Sequence, residues 1–452
     1  MNKKDKLQSF CFRAWPVALI IFLVLVLPCR GNCEVQTKQL LSLGQAVLIA
    51  LKNNPSFAQH ANAVTSAEIS LSQQRADFYP DLNAAVTGQD STQADWSLAT
   101  ELSSTLNLFN GFADTAALKN AELGLDAVKE NLTREQQTLV FETFSNFVQV
   151  LTDQALILVK EENLVENRKL LEQIETFQQA GRLALSDLYQ QQAETEQAQL
   201  DLLEAQKNLN DDKLLLMQTM GLPPMIGYRA APADFDLLSL LLPETELERL
   251  TVAALNDRAD IKAQQRQFEA AGQQIRQARA GQLPKLDLFA KLASGYNSSG
   301  DDAFSEQLMD DSLDATVGIS LTVPIFDRHL TRNEIAKAKI EQRNEQLALK
   351  ETTLQVGLEV AQAIEEYRTT QKQIEVVDSK LTSARQSLQS YEERYRVGAS
   401  TLIELSQART DYVSAAFEQI EARYDLVNQQ VALAYYSGDM EPLLAALNME
   451  KN

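Results

Sequence analysis

Along most of this chain apolar residues recur at three- and four-residue steps, but in two places the period drops to two. From about Leu43 to Phe78 the residues are mostly Ala, Leu, Gln, Glu and Ser, which read as a helix, and Pro80 ends the pattern because it cannot donate and restricts its predecessor. In the following "WSLATELSSTLNLF", Leu98, Thr100, Leu102, Ser104, Leu106 and Leu108 alternate with Ala99, Glu101, Ser103, Thr105 and Asn107. That spacing predicts a β-hairpin over 81–109 with one apolar and one polar face. From Phe112 to Ala180 there is no proline, Gly124 is the only glycine, and Leu139, Val140, Phe144, Phe147, Val148 and Leu151 keep helical spacing. A helix over 111–180 would reach on the order of 100 Å. It breaks at "QQAGRLALSDL", where Gly181 supplies a left-handed residue and Ser186 is expected to cap a return helix over 186–220.

The same series is then written again. Leu43, Leu51, Phe57 and Pro80 map onto Leu247, Leu255, Ile261 and Pro284 at one offset. From Phe109 on Phe326 the offset becomes 217 and holds through Gly181 on Gly398, Asp187 on Glu404 and Gly221 on Gly438. The second copy has gained 13 residues between Pro284 and Phe326, within which "NSSGDDAFSEQLMDD" suits a solvated loop. Its hairpin is expected over 285–326, with Ala315, Val317, Ile319, Leu321, Val323 and Ile325 on one face. A long helix over 329–397, a break at Val397-Gly398 with Ser400 or Thr401 as the next cap, and a return helix over 401–437 complete it. The organisation is thus a first repeat at 34–221, a linker or equatorial segment at 222–246, a second repeat at 247–438 and a tail at 439–452. Pro80, Phe109, Pro284 and Phe326 mark the strand boundaries.

The first 33 residues differ from all of this. Lys3, Lys4, Lys6 and Arg13 precede the apolar run "VALIIFLVLVLP", too short for the roughly 20 residues of a spanning helix and typical of a cleaved export signal. Cys11, Cys29 and Cys33, the only cysteines, all lie there. Ordinary cleavage is expected near Gly31 to Cys33, and cleavage after Cys33 would leave a mature chain without thiols, whereas a lipidated Cys29 or Cys33 would want a small residue where Pro28 or Asn32 stands. The whole chain has a net charge of −21, and because this segment carries five basic residues and one acidic, the remainder stands at −25. Such a chain repels phosphate backbones, which argues against nucleic-acid binding. His60 and His329 are the only histidines, and no phosphate-cradling loop, nucleophile motif or metal-spaced Cys/His set occurs. Asp301-Asp302 and Asp310-Asp311 lack calcium-loop spacing. No enzyme and no cofactor are expected.

Alternating strands have an obvious use in an exported chain, as the units of an outer-membrane barrel, with a small four-stranded sheet packed on helices as the alternative. Closed barrels start at roughly 8 strands and an open edge cannot sit in lipid, so two hairpins can seal a barrel only by joining those of sister copies.

The export signal, the repeated helix, Pro80 and Pro284 before strands, "LNLFNG" and "TVPIFDR" before long helices, and "VGASTLIEL" together resemble the TolC-like outer-membrane efflux channels over roughly residues 40–450. The resemblance implies a mainly α chain with membrane β-hairpins that forms a homotrimer: a twelve-stranded β-barrel in outer-membrane lipid, continued by a long α-helical barrel through the periplasm. It implies as partners a periplasmic membrane fusion (adaptor) protein and an inner-membrane RND or ABC transporter, in an efflux pump or a type I secretion system. By the same analogy Gly181, Arg182, Val397, Gly398 and Ala399 form the adaptor-contacting tip. Tyr395 and Glu404, with Asp187 at the equivalent point of the first repeat, are gate candidates, while Ser400 and Gln407 replace an arginine and an acid of the family's closing network. The competing expectation is a periplasmic coiled-coil adaptor or scaffold, which would carry a single helical hairpin flanked by compact β domains.

Overall fold

The computed structural model describes residues 39–91, 94–224, 228–231, 244–298, 303–307 and 313–440. The expected export signal, most of the 222–246 segment, parts of the second hairpin loop and most of the tail lie outside the described residues. The chain divides into the units Met1–Gln39 and Leu40–Asn452, and apart from Gln39 the described residues belong to the second. In chain order its elements are β1 (Gln39–Leu41), α1 (Leu43–Asn53), α2 (Pro55–Ala76), β2 (Asn83–Ser91), β3 (Ala94–Phe109), α3 (Ala113–Gln179), α4 (Leu185–Thr219), β4 (Tyr228–Ala230), α5 (Glu244–Asp257), α6 (Ala259–Ala280), β5 (Lys285–Asn297), α7 (Phe304–Glu306), β6 (Asp314–Thr322), α8 (Leu330–Arg396) and α9 (Leu402–Ser437). Among the described residues no helix is long and apolar enough to cross a membrane.

Two expectations about the elements are corrected. The single helix expected from Leu43 is two, because Pro55 lacks the N–H that would continue α1 and instead opens α2 at its first position. Asn54 serves the joint, its side chain accepting from the Ser56 and Phe57 N–H groups at 2.8 and 3.1 Å. In the second half the corresponding break falls at Arg258, between α5 and α6. The last strand also ends earlier than the 285–326 hairpin implied. Val323 and Ile325 keep the alternation, but β6 stops at Thr322, next to the restriction that Pro324 places on Val323.

The four long strands form one antiparallel sheet in the order β2-β3-β5-β6. Its register places Ala84, Leu102, Leu292 and Ala315 in one row and Leu106, Leu288 and Ile319 in another, all on one face. The opposite face carries Ser103, Lys291 and Thr316 in one row and Asn107, Asp287 and Ser320 in another, with Lys291 bridging Glu101 at 2.7 Å. Phe289 is the exception on that polar face, and its ring occupies the space a Cβ on Gly318 would need, 2.6 Å from Cζ. On the apolar face nothing among the described residues covers β6: Val317, Ile319 and Leu321 are 76, 65 and 64 % exposed.

The helices pair as two hairpins, α3 with α4 and α8 with α9, and each long helix spans 67 residues. Helices α1 and α2 lie on α3, and α6 lies between α3 and α8. One core gathers Val47, Val140, Phe147, Val148, Met220 and Val431 from α1, α3, α4 and α9. A second gathers Leu247, Ile261, Val360, Tyr367 and Leu426 from α5, α6, α8 and α9. The joint at Arg258 locks these layers together. Its side chain is only 2 % exposed and forks onto Asp260 at 2.6 Å, Glu359 at 2.7 Å and the Tyr436 carbonyl at 3.3 Å, so α6, α8 and α9 share one guanidinium. Burial alone would pull the Arg258 pKa down, yet the two carboxylates outweigh it and hold it above the usual value. Replacing Arg258 by Ala would strand both carboxylates and is expected to cost about 3 kcal/mol. Lys, which lacks the fork, should recover only part of that; denaturant unfolding of the two variants measures both effects.

Candidate functional site: the hairpin tips

Both helical hairpins turn by the same device. At the end of α3, Gly181 sits at φ +73°, its N–H donates to the Gln178 carbonyl at 2.8 Å, and the Arg182 N–H donates to the Phe177 carbonyl at 2.9 Å. At the end of α8, Gly398 sits at φ +76°, donating to Tyr395 at 3.0 Å while Ala399 donates to Arg394 at 2.7 Å. These paired bonds are Schellman closures, which satisfy the last carbonyls of each helix and need a residue free to be left-handed. A Cβ at either glycine would meet open space, so only the dihedral angle demands glycine here.

The two turns share one hydrophobic cluster. Leu170 and Ile174 of α3 pack with Leu402 and Leu405 of α9, and Leu183, Leu188, Leu388, Tyr391 and Tyr395 lie against them. Gly181, Arg182, Val397, Gly398 and Ala399 therefore lie at one end of the helices, and all five are exposed, Val397 at 74 %. Arg394 steadies the second turn: its Nη2 donates to the Ala399 carbonyl at 3.3 Å and its guanidinium lies 5.2 Å from the centre of the Tyr391 ring.

The gate candidates are arranged less evenly. Asp187, in the first turn of α4, acts electrostatically on Tyr395, whose phenol is pushed up first by burial and then by that charge. Glu404 is engaged with its own helix end. Its Oε2 accepts from the Thr401 N–H at 2.8 Å, from Ser400 Oγ at 2.8 Å and from Thr401 Oγ1 at 3.1 Å. Its own N–H donates back to Thr401 Oγ1 at 3.3 Å. These bonds, the Thr401 N–H first, hold the Glu404 carboxyl below the usual glutamate range. The T-x-x-E spacing that makes this capping box was readable in the sequence, whereas the Arg394 bridge had no local signal. Ser186 does not cap α4; Ala184 occupies that position and makes no side-chain bond.

At the strand ends, Phe109 meets Phe112 edge-on at 5.3 Å and Phe326 meets His329 at 6.0 Å, with Phe112 and His329 in left-handed conformation as the long helices begin. Pro284 stands immediately before β5, and Pro80 three residues before β2.

The fold joins a four-stranded sheet with one apolar face to two 67-residue helices, each packed against a shorter return helix, a combination of strand and long-helix layers that marks one class of membrane-associated protein. The outer membrane efflux protein family model matches residues 47–222 and again 250–439, and the chain belongs to that family. It is accordingly an outer-membrane efflux protein. The pyoverdine export outer membrane protein OpmQ of Pseudomonas putida is 26 % identical over 80 % of this chain and 73 % of its own length. Protein CyaE of Bordetella pertussis is 24 % identical over 88 % of this chain and 84 % of its own. Outer membrane protein TolC of Escherichia coli is 24 % identical over 70 % and 64 %. Among solved structures, a membrane protein from Pseudomonas aeruginosa superposes with a TM-score of 0.78 at 20 % identity, covering 88 % of this chain and 90 % of that one. CusC does so with 0.77 at 20 % identity, covering 88 % and 92 %.

Thr401→Ala should cost about 1 kcal/mol at the start of α9, because it removes one half of the capping box. Glu404 titrates below its usual range, so its contribution is present above that range and is lost as pH falls through the depressed value. Amide exchange at residues 402–405, followed from neutral to acid pH, should show the end fraying in acid in the parent and at all pH values in Thr401→Ala.

Proposed function

We propose that this protein is the exit duct of a tripartite efflux pump or type I secretion system, carrying small molecules or proteins across the periplasm and the outer membrane. The observation that carries the reading is the sheet: four strands with an uncovered apolar face and free edges at β2 and β6. In hydrocarbon those edges leave backbone N–H and C=O groups without partners, and a second and third copy can supply them. Three copies contribute twelve strands, four each, and their helical hairpins continue the barrel as a duct. The chain is read as a tandem repeat, 34–221 and 247–438, each half contributing one β-hairpin and one helical hairpin.

On this reading the end that carries Gly181, Arg182, Val397, Gly398 and Ala399 meets the periplasmic adaptor, and three copies give six such turns around one rim. Tyr395, Asp187 and Glu404 line the approach to the axis, where like charges from three subunits favour cations and resist closure. An inner-membrane RND or ABC transporter supplies the energy and selects the cargo. OpmQ is described as exporting pyoverdine and the Pseudomonas putida relative SrpC as a solvent efflux pump component; both activities fit a duct whose cargo is chosen elsewhere.

Proline locks φ near −65° and cannot adopt the +73° and +76° of the two turns. Gly181→Pro combined with Gly398→Pro should therefore abolish export while the protein still fractionates with outer membranes as a trimer. Retained export would refute the tip assignment. Release of the unaltered protein as a monomer by a carbonate wash would refute the duct and favour a periplasmic scaffold.

A further inference from the structure

The end of the sheet away from the long helices carries an aromatic cluster that the duct reading does not use. Trp96 on β3 and Tyr296 on β5 lie side by side, their ring centres 5.7 Å apart, and Phe304 of α7 closes edge-on against Tyr296 at 4.9 Å. The backbone fixes this arrangement. The Ser298 N–H donates to the Trp96 carbonyl at 2.9 Å, which carries the β3–β5 pairing past the last residue of β5. The Asn297 N–H donates to Gln307 Oε1 at 2.9 Å, tying the chain just after α7 back onto the strand end. Held in place, the rings are still wet: Trp96 is 43 % and Phe304 50 % exposed.

The register says which face they share. Leu98 stands opposite Tyr296, so by alternation Trp96, Leu98 and Tyr296 lie on the side of Leu102, Leu106, Leu288 and Leu292. From the row of Leu286 to the row of Tyr296, that face carries apolar residues, Gly88, Thr100, Ser104 and Ser294, and among the described residues no charge. Glu101, Asp287, Lys291 and Asp314 all fall on the opposite face. Beyond the Tyr296 row the strands turn polar, at Asp90 in β2 and at Asn297 and Ser298. The ten residue steps from Leu286 to Tyr296 rise about 34 Å along the strand, and at a barrel tilt of about 40° they cross about 26 Å, against an apolar band of about 25 Å in membrane barrels. The aromatic cluster thus stands where a hydrocarbon layer measured from the helical end runs out. A second copy is not its cover, because β3 and β5 are the inner strands of the sheet, and copies joined at the β2 and β6 edges leave this face open.

We propose that Trp96, Tyr296 and Phe304 form an interfacial anchor, seated at the boundary between hydrocarbon and headgroups on the side of the outer membrane away from the periplasm, with α7 folded over the strand end to add the third ring. Each ring offers an apolar body to the acyl chains, and the indole N–H and the phenol O–H suit the wet headgroup side. Phe304 comes from the loop of the second hairpin, the copy that gained 13 residues, so the anchor has a component with no counterpart in the first hairpin. The proposal rests on the reading of the sheet as part of a barrel in lipid and adds the level at which that lipid ends.

Trp15 and Trp96 are the only tryptophans of the chain, so Trp15→Phe leaves Trp96 as a single fluorescent reporter whether or not the first residues are removed. The full-length protein is reconstituted in phosphatidylcholine vesicles whose acyl chains are brominated either just below the headgroup or near the chain end. Trp96 emission should be quenched at least about twofold more by the shallow bromines than by the deep ones. Phe304→Trp in a Trp15→Phe, Trp96→Phe background should show the same preference. Leu102→Trp in that background, near the middle of the band and opposite Leu292, should show the reverse by a similar factor. Trp96 quenched equally at both depths, or at neither while Leu102→Trp reports the deep label, overturns the anchor and leaves the barrel standing. Quenching of Leu102→Trp by neither lipid overturns the barrel reading and the anchor with it. Absence of shallow quenching at position 304 beside a shallow Trp96 overturns the part assigned to α7. The Trp15→Phe protein keeps every residue of the sheet, and carries the test of Trp96 by itself if either substituted reporter does not assemble.

Discussion

An unpaired strand edge is what a membrane sheet cannot keep. In water the apolar face formed by Leu102, Leu106, Leu288, Leu292 and Ile319 is costly, and in lipid the free N–H and C=O groups of β2 and β6 cost several kcal/mol each. A single copy of this chain satisfies neither solvent. That conflict links the strands to everything else: in the proposed assembly, closing the sheet would also bring the attached helices side by side.

The helices answer a different problem with different means. A 67-residue helix has little intrinsic preference for one neighbour over its length, so position has to come from a few specific contacts. At the middle level the Arg258 fork ties α6, α8 and α9 through two carboxylates and a carbonyl, while Arg134 lies 3.9 Å over the ring of Tyr435 and bonds its carbonyl at 3.0 Å. Such buried ionic groups contribute less net stability than the same volume of leucine would, but they accept only one register. At the far end the small apolar cluster around Ile174 and Leu405 holds the two turns together.

The halves of the chain are alike in course and unlike in chemistry. Both turns close through glycine and two backbone bonds, yet only the second carries a capping box and the Arg394 bridge. The Arg258 fork likewise belongs to the second half. Equivalent courses therefore give every hairpin the same reach, while the residues that stiffen or loosen it differ, so the two hairpins of one subunit need not respond alike to the same stimulus.

Much of this was legible in the residues themselves. A period of two against a period of three to four separates strand from helix, because side chains alternate across a strand and lie a turn apart along a helix. The glycines at 181 and 398 stand out because nothing else tolerates a positive φ so cheaply. Local chemistry also misled at Val323 to Ile325, where alternation continued past the last strand bond, and at Asn54-Pro55, where a run of good helix formers hid a break. Only the tertiary structure decided that Arg258 sits under three helices and that Asn146 of α3 bonds Thr219 at the end of α4. Those pairings join residues 73 positions apart in the case of Asn146 and Thr219 and 101 in the case of Arg258 and Glu359, and periodicity carries no information about which turn of one helix faces which turn of another. That is set by packing along the whole length of the pair.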